Sequence, residues 1–159
     1  MTSLTIVAVG NLKEEYLRDG IAEYSKRIRA YANCEIKEIK EEKIANENDR
    51  SAIAAALRSE GERILAAVPK DAFTVALCVE GKSMDSPALA SLIAKGIDRS
   101  GKVCFLIGSS HGLSDDVKAA ADFRLSFSPL TFPHQLMRLI LMESLYRSFT
   151  IIAGKKYHK

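Results

Sequence analysis

The chain has 159 residues, a formal net charge of +3, 47% apolar residues and 27% charged ones, the make-up of one globular domain spanning 1–159. No run of 18 apolar residues exists, which excludes a membrane-spanning helix, and the start MTSLTIVAVGNLKEE lacks the basic segment and small-residue cleavage site of a secretory signal, so the reading is cytoplasmic. Three scattered cysteines, Cys34, Cys78 and Cys104, form no CxxC; the latter two lie in apolar runs and read as reduced core residues.

Leu4 to Val9 is a β-branched apolar run closed by Gly10, which predicts a buried strand. Lys13 to Ala32 predicts a helix whose apolar stripe is Leu17, Ile21, Tyr24, Ile28 and Tyr31. Glu35 to Ile39 is polar-rich and predicts an edge strand. After the charged loop Lys40–Asp49, a helix is expected over Arg50–Ala67 with Ile53, Leu57, Ile64 and Leu65 inward. Phe73–Val79 and Val103–Ile107 are nearly continuous apolar sequence, as strands covered on both faces of a parallel sheet are. Between them Ser86 reads as the cap of a helix with Pro87 in its first position. Ser114-Asp115-Asp116-Val117 starts another helix, and Phe123–Phe127 is a last strand. Strand and helix alternate five times, which predicts an α/β fold with a mainly parallel sheet and helices on both faces.

The final helix is expected to open with Thr131 as cap and Pro133 in its first turn. Leu136, Met137, Leu139, Ile140, Leu141, Met142, Leu145, Tyr146 and Phe149 cover nearly its whole circumference. A helix apolar all round is buried on more than one side, and a second copy of the chain is the expected second cover. Glu143 and Arg147 stand four apart as a surface pair. His134 and Arg138 share a face near the helix start, where an anionic ligand would be favoured. Residues 123–159 hold six basic side chains and one acidic one, whereas residues 1–122 hold 17 basic and 19 acidic ones. That asymmetry points the C-terminal end at a polyanion.

Ligands of open α/β sheets bind beyond the carboxyl ends of the strands. Three loops leave strand ends here with small residues: Glu80-Gly81-Lys82, Gly108-Ser109-Ser110-His111-Gly112 and Ser128-Pro129-Leu130-Thr131. They predict a pocket. No GxxxxGK[ST], GxGxxG or GxSxG is present, and the three histidines lack metal-ligand spacing, so no metal is expected.

The segments LCVEGK (77–82), FLIGSSHGL (105–113), LSFSPLTFPHQLMRLILMESLYRSF (125–149), the ending KYHK and the start IVAVGNLKEEYLRDGIAEYSKRI together resemble the RlmH-type SPOUT methyltransferases. The resemblance covers essentially the whole chain. It implies an α/β fold with a C-terminal trefoil knot and a homodimer. The implied activity is S-adenosylmethionine-dependent methylation of N3 of a pseudouridine in large-subunit ribosomal RNA, within the ribosome. Carried over, Leu77, Gly108, Phe127, Ser128, Pro129, Leu130, Thr131 and Phe132 line the cofactor site. Three positions depart from the family: Ser109 replaces a second glycine, Cys78 stands where an acid is common, and Lys159 replaces arginine.

Methyl transfer from a sulfonium needs positioning, and the imide N3–H must lose its proton. His158 and His134 are the candidates for that chemistry. Arg138, Lys155, Lys156, Tyr157 and Lys159 combine cations with an aromatic, which suits phosphate contact and base stacking. The rival readings are a small-molecule α/β enzyme and a non-enzymatic ribosome-binding factor.

Overall fold

Strands and helices alternate along the whole of residues 1–159, which a computed structural model describes. The order is β1 (Thr2–Val9), α1 (Glu15–Ile28), β2 (Ala32–Ile39), α2 (Arg50–Ala67), β3 (Phe73–Ser83), α3 (Ser86–Ser100), β4 (Lys102–Ile107), α4 (Asp115–Ala120), β5 (Phe123–Ser126) and α5 (His134–Ile152). One five-stranded sheet runs β2-β1-β4-β3-β5, with every pairing parallel. The polar-rich β2 is an edge, as its composition requires. No helix is long and apolar enough to cross a membrane.

Alternation along the central strands builds a core on each face. Leu4, Ile6 and Ala8 of β1, with Val103, Phe105 and Ile107 of β4, pack against α1, α3 and α5. Val7, Val9, Cys104 and Leu106 point the other way, onto Ile64 of α2 and Val117 of α4. Fully burying one such side chain contributes roughly 2 kcal/mol, against at most about 1 kcal/mol for an exposed ion pair, so the two cores hold the fold.

Several boundaries differ from the sequence reading, each for a local reason. Helix α1 ends at Ile28 because Ala32 already pairs with Thr2 across β1 and β2. Leu65 is 39% exposed. Helix α2 turns Ala56, Glu60, Gly61 and Ile64 inward, and Leu65 follows Ile64 by about 100° round the helix. The cap of α3 is Asp85, whose Oδ1 accepts from Ala88 N at 2.9 Å, with Ser86 opening the helix and Pro87 following it. Thr131 does not cap α5: the helix starts at His134 after Pro133, with no side-chain cap. Proline at 133 drives Phe132 away from helical dihedrals, which a cap at Thr131 would demand. Strand β3 runs four residues beyond Val79, and its register on β5 slips, so that both Leu77 and Lys82 stand opposite Leu125. Gly81 makes the slip possible, since a Cβ there would lie 2.8 Å from the Leu125 backbone.

Helix α5 packs on α1 and α3 and buries Leu141, Met142, Leu145 and Phe149. Leu136, Met137, Leu139, Ile140 and Tyr146 stay half-buried.

Candidate active site

The carboxyl ends of β3, β4 and β5 open into a cleft of about 700 Å³, formed by the three loops that leave them. Leu77, Gly108, Phe127, Ser128, Leu130, Thr131 and Phe132 all line it, and His134 stands at its wall at the start of α5. Pro129 belongs to the same loop without lining the cleft. The walls are largely apolar, with Ile107, Leu113, Leu125 and Met137 adding to the set.

The loop after β4 is a tight closed turn. Gly112 N donates to Ser109 O at 2.8 Å, and Ser109 and Gly112 form an isolated bridge. Gly112 has φ +87°, a conformation that suits glycine. A Cβ on Gly108 would sit 2.2 Å from Gly112 O. Gly108 is therefore required by the loop's own backbone. On the β5 side Ser128 Oγ accepts from Leu130 N at 3.0 Å, a short side-chain turn that fixes the exit of the strand.

The one charged pair at the cleft is Lys118 Nζ with Glu80 Oε1, 2.5 Å apart. The Lys118 hydrogen bond holds the Glu80 carboxyl below the usual carboxylate range. Cys78 is not a core residue: it is half-buried and lines the cleft, because β3 reaches the sheet's carboxyl edge there. Burial nonetheless pushes its thiol up, and the buried Cys104 is pushed up to about 12. Sequence reasoning named the loop containing Glu80. It missed Lys118, which nothing marks in α4 except the geometry.

Arg138 departs from the reading of an RNA contact. It is 1% exposed, with Nη1 2.7 Å from Glu38 Oε2 and Nη2 donating to Gly10 O at 3.1 Å. It ties α5 to the carboxyl ends of β1 and β2 instead of facing solvent. One turn of helix separates it from His134, but the two point to different places.

The C-terminal tail also differs from a free extension. Tyr157 packs edge-on against Tyr146 with centroids 4.8 Å apart, and its hydroxyl donates to Glu143 Oε1 at 3.2 Å. Arg147 lies over the Tyr157 ring at 4.8 Å, bonds Glu143 at 2.6 Å, and approaches His158 Nδ1 at 3.2 Å. Lys155, Lys156 and Lys159 remain exposed. His158 thus sits against Arg147, thirteen residues along α5 from His134, a rise of about 20 Å. The two candidate histidines do not meet within one chain.

The family model described as "Predicted SPOUT methyltransferase" matches residues 2–158. The chain is 48% identical to Ribosomal RNA large subunit methyltransferase H of Bacillus pumilus over 99% of both chains. It is 46% identical to the protein of the same name from Carboxydothermus hydrogenoformans, over 98% of this chain and 99% of that one. Among solved structures, the tRNA (m1G37) methyltransferase of Aquifex aeolicus superposes with a TM-score of 0.52 at 13% identity, covering 99% of this chain and 75% of that one. That last likeness is one of fold.

Proposed function

We propose, from the premise that this chain belongs to the SPOUT methyltransferase family, that it methylates large-subunit ribosomal RNA with S-adenosylmethionine, at N3 of a pseudouridine. The observation that carries the reading is the convergence of the three strand-exit loops on one cleft, in a chain so similar throughout to ribosomal RNA methyltransferases.

The cleft fits the cofactor. Its volume lies in the range of small-molecule sites. Leu77, Leu113, Leu130 and Phe132 offer apolar walls to a purine, and the closed turn at Gly108–Gly112 exposes backbone groups at the rim. The only charged side chains at the wall, Glu80 and Lys118, neutralise each other, so no cation repels a sulfonium. Bound there, the cofactor supplies an activated methyl group. The chain's own part is to hold the acceptor base in line and to take up or shield the imide proton. His134 stands beside the cleft for that task; His158 belongs to it only if a second copy brings its tail.

The rise of about 20 Å along α5 from His134 to Arg147, against which His158 sits, is the reason to propose a homodimer. A symmetric pair joined through the half-buried flank of α5 carries the tail of one copy toward the cleft of the other. The exposed Lys155, Lys156 and Lys159 then flank the cleft as phosphate contacts, within the ribosome. The trefoil knot implied by the resemblance belongs to the same proposal.

Mass spectrometry of large-subunit RNA from cells with and without the gene tests the reading. One methylated pseudouridine is expected to disappear with the gene. An unchanged RNA mass map would refute it and favour a ribosome-binding factor.

A further inference from the structure

Behind the glycine loop, on the side away from the cleft, lies a buried acid that the proposed chemistry does not use. Glu60, on α2, is 3% exposed. Its Oε2 accepts from Glu42 N at 2.9 Å. Its Oε1 is buried with no closed hydrogen bond, although the Ser109 hydroxyl is near enough to favour the ionised carboxylate. Burial pushes the carboxyl up, and the Glu42 N–H and Ser109 hydroxyl oppose that push. Ser109 is itself 7% exposed, and its Oγ accepts from His111 N at 3.3 Å. Its hydroxyl proton is thus left for Glu60. Arg63, one turn on from Glu60, donates to Lys40 O at 3.0 Å and to Glu42 Oε1 at 2.8 Å, which clamps the charged segment 40–49 to α2.

A buried carboxylate oxygen without a partner is costly, so its position beside Ser109 calls for an account. We propose that Glu60 is a positioning residue for the cofactor-binding glycine loop, acting through Ser109, and that it links that loop to segment 40–49. The inference rests on the methyltransferase reading of the cleft. On this proposal the carboxylate, braced at one oxygen by the Glu42 amide, takes the Ser109 hydroxyl proton at the other, the oxygen with no closed bond of its own. The hydroxyl oxygen in turn holds the His111 amide, and so sets the turn from Gly108 to Gly112 that lines the cleft. Ser109 is the means of this link, since a glycine at 109 would offer Glu60 no donor.

The test uses the full chain with Ser109→Ala and Glu60→Gln. Amide exchange is followed at His111 and Glu42 without cofactor, and methyl transfer to ribosomal RNA is measured against S-adenosylmethionine concentration. Ser109→Ala is expected to speed exchange at both amides and to raise KM for the cofactor about tenfold, the loss of one buried hydrogen bond, while kcat at saturation holds. The response at Glu42, which does not bond residue 109, is the effect a purely local change would not produce. Should Ser109→Ala lose its fold, Glu60→Gln keeps the side-chain volume and is expected to raise the same KM several-fold. Wild-type KM and wild-type Glu42 exchange in a folded variant overturn the inference and leave the methyltransferase reading intact. A wild-type chain that binds no S-adenosylmethionine overturns both.

Discussion

Arg138 in the second turn of α5 reaches across the domain to Glu38 at the end of β2, with Nη1 2.7 Å from Oε2. The guanidinium is almost wholly enclosed, while Glu38 keeps 44% of its side chain in solvent. The pair joins the edge strand to the helix that borders the cleft.

Removing one partner of a buried charge leaves the other uncompensated. Glu38→Ala is expected to cost about 3 kcal/mol of unfolding free energy, since Gly10 O still accepts one of the two guanidinium bonds. Urea denaturation gives the number. A loss under about 1 kcal/mol would mean that the Arg138 charge is not held by Glu38.

Gly108→Ala is expected to abolish cofactor binding by deforming the loop. The new Cβ would meet Gly112 O at 2.2 Å, a contact that only a backbone shift relieves. Calorimetry should show affinity reduced at least about 100-fold, in keeping with the cost of misplacing a preformed site by about 1 Å. Affinity near that of the wild type would refute the closed turn as the binding element.

The cysteines offer a direct map of the cleft. Cys104 is buried, with its thiol pushed up to about 12, and is expected to resist alkylation at pH 8 in the folded chain. Cys78, at the cleft wall, is expected to react slowly because burial raises its pKa, and S-adenosylmethionine should slow it further. Mass spectrometry after iodoacetamide treatment reads both sites. Equal labelling of Cys78 with and without cofactor would separate the cofactor site from this cleft.

Truncation after Gly154 is expected to reduce methylation at least about 100-fold, the effect of losing a general base, while cofactor affinity stays unchanged. The tail bonds or packs on Glu143, Tyr146 and Arg147 of α5, none of which lines the cleft. Replacing Lys155, Lys156 and Lys159 by alanine should weaken RNA binding and lower its salt slope by about three. Wild-type turnover by the truncated chain would remove His158 from the chemistry and leave it to His134.

The docking of the tail has a pH signature. Burial first, and the Glu143 carboxylate after it, push the Tyr157 hydroxyl up to about 12 from an ordinary 10.0. The neutral phenol is the bonded form, so its contribution is whole below pH 10 and is lost as pH rises from 10 through about 12. Absorbance titration should show one of the five tyrosines ionising near the top of that window, and Tyr157→Phe should lack that step. Identical titration curves would show that the tail is free.

The alternation of strand and helix, the edge position of β2 and the buried central strands were legible in the sequence. Each rests on local periodicity, and burial on both faces of β4 leaves its mark residue by residue in VCFLI. The three strand-exit loops were legible too, because a sheet of this class puts its site at the carboxyl ends and glycine marks the turns. Periodicity carries no information on which distant groups meet. Arg138 looks like a helix-surface cation until Glu38, a hundred residues away, closes on it. The same holds for Tyr157, which finds Tyr146 and Glu143 only once α5 has formed, and for the unpartnered Glu60 oxygen beside Ser109. The sequence by itself determined the elements and the end of the sheet where the cleft opens, since backbone propensity and apolar spacing are local quantities. The tertiary structure alone decided which charges are buried and that His134 and His158 lie apart, since desolvation and distance exist only once the chain is packed.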